Sequence, residues 1–162
     1  MARLVLTDAS PLIGLSRVDG LGWLESLFGV VWLPPRVRDE VLPGLGRDDE
    51  RMIAAGLNAG WLKVHTEVPT APPLPDLDEG EAACIRIAVA QPEPCLLLMD
   101  ERTGRAIAAE HGLRVAGTAA VIGLARQRGL IPSAREVFVR LHASDFRLAP
   151  TVIKAVLRRV GE

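Results

Sequence analysis

The chain has 162 residues, 49% of them hydrophobic and 24% charged, with 15 Gly, 12 Pro and a formal net charge of −1. Such a length can bury about two-thirds of its unfolded surface in one core, and such a composition excludes fibrous and intrinsically disordered chains. The near-zero charge conceals an asymmetry: residues 1–100 carry 15 acids and 8 bases, residues 101–162 carry 5 acids and 11 bases. An acidic half suits cations and a basic half suits a phosphate backbone, although solvated helix faces account for the same charges.

In chain order, Leu4–Thr7 reads as a short strand running into Asp8. That apolar run is too short for a signal-peptide core or a membrane span, so a cytoplasmic protein with no membrane partner is the expectation. Ser10 and Pro11 are suited to the N-cap and first residue of the following helix. Residues 21–27 read as helix and Val30–Leu33 as a strand ending at Pro34-Pro35. Pro35 opens a helix carrying Val37, Glu40 and Val41, residues 48–57 form another, and Trp61–His65 is a strand. Pro69, Pro72, Pro73 and Pro75 make residues 66–76 an extended surface loop.

Helix then follows from Asp78 to Ala90, strand from Cys95 to Met99, helix from Glu101 to His111, strand from Leu113 to Ala116 and helix from Thr118 to Gln127. This alternation predicts a parallel sheet covered by helices on both faces, with ligands beyond the carboxyl ends of the strands. Helices over 133–143 and 151–160 complete one domain, 1–162, as appendages to the core. A boundary in the proline-rich loop is the rival reading, disfavoured because neither half makes a comfortable independent core. Cys84 and Cys95 have apolar neighbours and no CxxC spacing, which predicts buried reduced thiols.

Asp8 and Asp100 each terminate an apolar strand where such sheets place their sites. Helix capping is the structural alternative for both, with more force for Asp100, whose helix begins at once. Glu40 lies one turn beyond Arg36 and shares a face with Val37, so it serves either a site or a surface ion pair. Asp78 and Glu81 fit a capping box, while Gly80 in the first turn costs about 1 kcal/mol relative to Ala and signals a close approach. If Asp8, Glu40, Glu81 and Asp100 converge, their repulsion calls for a hard divalent cation, Mg²⁺ or Mn²⁺. His65, His111 and His142 stand at no ligand spacing, and no phosphate-cradling glycine motif is present.

With these residues in place the chain resembles the PIN-domain family, in a prokaryotic branch related to VapC-type toxins. The resemblance rests on Thr7-Asp8-Ala9-Ser10-Pro11-Leu12, on Leu33-Pro34 through Val37 and Glu40, and on Leu77-Asp78 with Gly80-Glu81-Ala82. It continues in Leu97-Leu98-Met99-Asp100-Glu101 with Arg105 and Ala108, and in Gly117-Thr118. The resemblance implies a PIN-like three-layer α/β/α fold and a metal-dependent endoribonuclease, the toxin of a toxin–antitoxin pair. It places the catalytic and metal-binding acids at Asp8, Glu40, Glu81 and Asp100, with Thr118 hydrogen-bonding at the rim. Arg102 and Arg105, on the helix after Asp100, are placed to hold neighbouring phosphates, although ordinary surface helix charges explain them at least as well. The third acid is Glu81 where many members have Asp. RNA, a small antitoxin and a second copy of the chain are the implied partners.

Two other functions compete. One keeps the fold without the chemistry, as a nucleic-acid or protein interaction module whose acids only cap helices and pair with arginines. The other is an aspartyl phosphotransferase with Asp8 as nucleophile. It is disfavoured because no second acid stands two residues after Asp8 and no lysine follows a later strand.

Overall fold

The computed structural model describes residues 4–162. Five parallel strands form one sheet in the order β3-β2-β1-β4-β5: β1 (Leu4–Thr7), β2 (Val31–Leu33), β3 (Leu62–Val64), β4 (Cys95–Leu98) and β5 (Arg114–Ala116). The central pair is held in register from Leu4 opposite Cys95 to Thr7 opposite Leu98. Strands buried on both faces read as continuous apolar runs, and LVLT and CLLL are such runs. Leu6, Leu97 and Leu98 are fully buried at the centre of the resulting core.

Helices α1 (Ala9–Ser16), α2 (Leu21–Phe28), α3 (Pro35–Val41), α4 (Asp48–Ala59) and α5 (Glu79–Ala90) come from the first half of the chain. The second half supplies α6 (Arg102–Glu110), α7 (Thr118–Gln127), α8 (Ala134–Ala143) and α9 (Pro150–Arg159). They flank the sheet as a three-layer α/β/α arrangement, as the sequence predicts. Among the described residues no helix is long and apolar enough to cross a membrane.

The two last helices are tied to the core by packing and by the side-chain carboxylate of Glu162. A Cβ on Gly123 would lie 2.8 Å from Val156 Cγ1, so glycine there lets α9 close on α7. Glu162 accepts hydrogen bonds from Ser133 Oγ at 2.8 Å and Ala134 N at 2.7 Å, satisfying the start of α8 from the far end of the chain. The proline-rich segment is anchored too: Arg86 Nε donates to the Pro72 carbonyl at 2.8 Å, and Leu74 and Leu77 are buried.

One helix start differs from expectation. Helix α1 begins at Ala9, with Asp8 rather than Ser10 at the N-cap position. Extended strand geometry carries through Asp8, whose N–H donates to the Leu98 carbonyl at 2.9 Å, and the chain turns helical at the next residue. Pro11 still falls in the first turn, where its missing N–H costs nothing. Helix α6 likewise has Glu101 at its N-cap, so Asp100 is free of that duty.

Candidate functional site

In the order β3-β2-β1-β4-β5 the chain runs outward from β1 through β2 to β3 and then crosses back to β4 on the other side of β1, so the switch point lies between β1 and β4. Asp8 follows β1 and Asp100 lies two residues beyond the end of β4, which sets both at the crevice where open α/β sheets bind ligands. Helix α3 brings Glu40 and the start of α5 brings Asp78 and Glu81. Between them lies an open cavity of about 370 Å³ lined by Arg36, Asp39, Glu40, Asp78, Glu79 and Gly80.

The glycines explain how these elements meet. A Cβ on Gly80 would stand 3.3 Å from both Asp8 Oδ1 and Val37 Cγ2, so the close approach expected from the sequence is that of β1 and α3 to α5. A Cβ on Gly104 would be 2.5 Å from Glu81 Oε2 and 2.7 Å from Met99 Sδ. One on Gly117 would be 2.7 Å from Arg105 Nη1 and 2.9 Å from Asp100 Oδ1, so an arginine and an acid converge over that residue.

Asp8 is 6% exposed and Glu81 5%. Burial pushes Asp8 up from 3.8 to about 7 against the Ala9 N–H, and Asp78, Glu40 and Asp100 add to the rise. At the N-cap position its side chain makes no capping bond. Glu81 is pushed up from 4.5 to about 7, first by burial and then by Asp78 and Asp8. Glu81 Oε2 is buried with no hydrogen-bond partner of ordinary geometry among the described residues, while the Asp78 carboxyl lies close enough to the Glu81 side chain to raise it. Glu40 lies at the exposed mouth, where partial burial and Asp78 raise it and Arg36 opposes them. The Cys84 thiol, fully buried and directed at the Thr7 carbonyl at 3.5 Å, is raised by burial and then by Asp8, Asp78, Glu81 and Glu40. Two buried carboxylates, Asp8 and Glu81, and two exposed ones, Asp78 and Glu40, therefore act on the same thiol. Both cysteines are free and buried.

Asp100 is held differently. Its Oδ1 accepts the Thr118 N–H and its Oδ2 accepts the Thr118 hydroxyl, each at 2.7 Å. A carboxylate at the N-terminus of α7 is favoured by the helix dipole as well as by these bonds. Thr118 is fully buried, and this geometry makes it a positioning residue for Asp100. Thr118→Val removes one of the two bonds and strands Oδ2 of Asp100. We expect a loss of about 1–2 kcal/mol in denaturant unfolding, with Thr118→Ser close to wild type.

Arg105 stands beside Asp100, whereas Arg102 is exposed and makes no ion pair or side-chain hydrogen bond among the described residues. Two residues at the site went beyond the sequence reading. Asp78, read only as a helix cap, does cap α5 by accepting from Glu81 N at 2.8 Å, but it also raises Asp8, Glu40 and Glu81. Arg36, read as an ion-pair partner, lines the cavity itself. The local capping pattern masked Asp78, and only the approach of α3 and β1 to α5 reveals its second position.

A divalent cation fits the donor chemistry. The donors are oxygens, one of them is buried without a partner among the described residues, and two carboxyls are raised first by burial and then by neighbouring acids, which a bound cation would offset. No three His, Cys, Asp or Glu side chains among the described residues close a ligand shell by themselves. Mg²⁺ does not require one, since it keeps several waters and binds through one or two carboxylates.

A parallel sheet with acids massed at its switch point defines an α/β protein with an oxygen-lined acidic site. Comparison with protein families refines that class: the DUF3368 model, described as a PIN domain, matches residues 4–162. The chain belongs to the PIN-domain family, a family of nuclease type. None of the curated proteins compared with it matches.

Proposed function

We propose that the protein is a metal-dependent endoribonuclease, with residues 1–162 forming a single PIN domain. The observation that carries this reading is the pair of buried acids, Asp8 and Glu81, both raised to about 7, the Oε2 of Glu81 itself lacking a hydrogen-bond donor among the described residues. Such crowding is destabilising in a protein that only needs helix caps, and it suits a site completed by a cation.

Asp8, Glu40, Glu81 and Asp100 are the proposed catalytic acids and ligands for Mg²⁺ or Mn²⁺, with Asp78 added to them. When bound, the cation supplies a lowered water pKa and neutralises charge on the phosphodiester. Thr118 fixes the carboxylate plane of Asp100. Arg36 at the cavity wall and Arg105 beside Asp100 are suited to the phosphates flanking the scissile bond, and Arg102 to a more distant one. The assignment of RNA, a cytoplasmic setting, a homodimer and the toxin role with a small antitoxin rests on the resemblance alone.

The test is cleavage of a mixed RNA pool with Mg²⁺, Mn²⁺ or EDTA, beside Asp8→Asn and Asp100→Asn variants shown to be folded. Cleavage should need metal and fall by about 100-fold or more in both variants. Wild-type activity in the variants would remove the acids from the mechanism. RNA binding without cleavage in any sample would favour the interaction module.

A further inference from the structure

A second cavity lies over one face of the sheet, along β5 and the starts of β1 and β4. Val5, Leu96 and Arg114 are register partners across β1, β4 and β5, Val5 opposite Leu96 and Leu96 opposite Arg114. Their side chains therefore stand in one row on one face of the sheet. Both faces of a parallel sheet are normally covered, yet Leu96, in an interior strand, is only half-buried. Over this row is a cavity of about 450 Å³, walled by Leu27, Phe28, Leu124 and Val156. That volume falls within the roughly 300–1,000 Å³ of small-molecule sites.

The rim is cationic. Arg114, Arg128 and Arg159 line the cavity and no acid does. Among the described residues none of the three side chains makes an ion pair or hydrogen bond. Helix dipoles account for a cation after α7 and at the end of α9. They do not account for Arg114, which stands in a row with apolar residues on the sheet face. Three exposed guanidinium groups ring an apolar floor with no acid among its lining residues, and guanidinium is matched to carboxylate and phosphate.

We propose that this cavity binds a small amphipathic anion, its apolar tail on Val5 and Leu96 and its carboxylate or phosphate head between Arg114, Arg128 and Arg159. The cavity shares no lining residue with the acidic one, although Ala116 in its wall directly precedes Gly117 and Thr118 beside Asp100. It is independent of the nuclease reading.

The probes are decanoate and decyl phosphate, with decanol and decylamine as controls, titrated into the full chain by calorimetry and followed by amide NMR. We expect one of the two anions to bind 1:1 and at least about tenfold more tightly than decanol, with no binding of decylamine. The tighter anion identifies the head group. Shifts should fall on Leu96, Val115 and Leu124 and spare Asp8 and Gly80. Arg114→Ala combined with Arg159→Ala, both at exposed side chains, should weaken binding at least about tenfold, and Ala120→Leu, which fills the cavity, should abolish it. Affinity indifferent to head charge or to the arginine variants would overturn the proposal, as would no binding at millimolar concentration. So would a concentration-dependent dimer that closes the cavity and is lost in Arg114→Glu.

Discussion

Asp8→Asn should stabilise the metal-free protein at pH 7.5 while abolishing its activity. Burial raises the Asp8 carboxyl from 3.8 to about 7, so its charged form is disfavoured in the folded state. Each unit of that rise corresponds to 1.36 kcal/mol, giving an upper bound on the order of 4 kcal/mol. Neighbouring acids share the effect, and a gain of about 1–3 kcal/mol is expected, roughly 3–10 °C in midpoint for a chain of this size. The sign follows from proton binding. Between about pH 4 and 7 the folded protein holds a proton on Asp8 that the unfolded chain has released, so this contribution is complete below pH 4 and is lost as pH rises through 7. Asparagine removes the dependence. Thermal melts in EDTA from pH 4 to 8 should converge at the acid end and separate toward pH 8, with the variant above. Adding Mn²⁺ should raise the wild-type midpoint and leave the variant nearly unmoved, because a cation that binds only the folded state stabilises it by mass action. A variant that melts below wild type at pH 7.5 in EDTA would mean that Asp8 is stabilised by its surroundings, and the metal reading would lose its main support.

Gly104→Ala should be damaging although it lies in a helix. In an unconstrained helix the change gains up to about 1 kcal/mol. Here the new methyl meets Glu81 Oε2 at 2.5 Å and Met99 Sδ at 2.7 Å, and Met99 is fully buried while Glu81 is 5% exposed. Neither side chain can withdraw without opening the core or moving the acid. We expect a net loss of about 1–3 kcal/mol, as for other overpacked positions, and a fall in cleavage of at least about tenfold from the displaced carboxylate. The pair can be isolated by a double-mutant cycle. In a Glu81→Ala background one of the two contacts is gone, and the cost of Gly104→Ala should shrink by about 0.5 kcal/mol or more. Additive costs would assign the whole effect to Met99, and a neutral Gly104→Ala would show that Glu81 is free to move.

The alternation of strand and helix was legible because apolar periodicity is local. LVLT and CLLL are short enough, and flanked closely enough by turn and helix-start signals, to read as buried strands between helices. Asp8 and Asp100 could be named for the same reason, since a strand's last residues identify the end of the sheet where a site forms. The start of α1 was misplaced because Ser10 has the chemistry of an N-cap, and only the hydrogen bond from Asp8 N to β4 shows how far the strand geometry extends. Asp78 was read as a cap because that role needs three adjacent residues and the other needs α3 and β1.

By itself the sequence determined the order of elements, the parallel sheet and the acids that end its strands, all of which depend on short-range pattern. The tertiary structure decided what those acids experience. Burial of Asp8 and Glu81, the two bonds of Asp100 to Thr118 across 18 residues, and the gap over Leu96 with its rim of arginines depend on segments far apart in the chain. Desolvation and charge repulsion are set by distances through space, and those distances exist only once the helices have packed against the sheet.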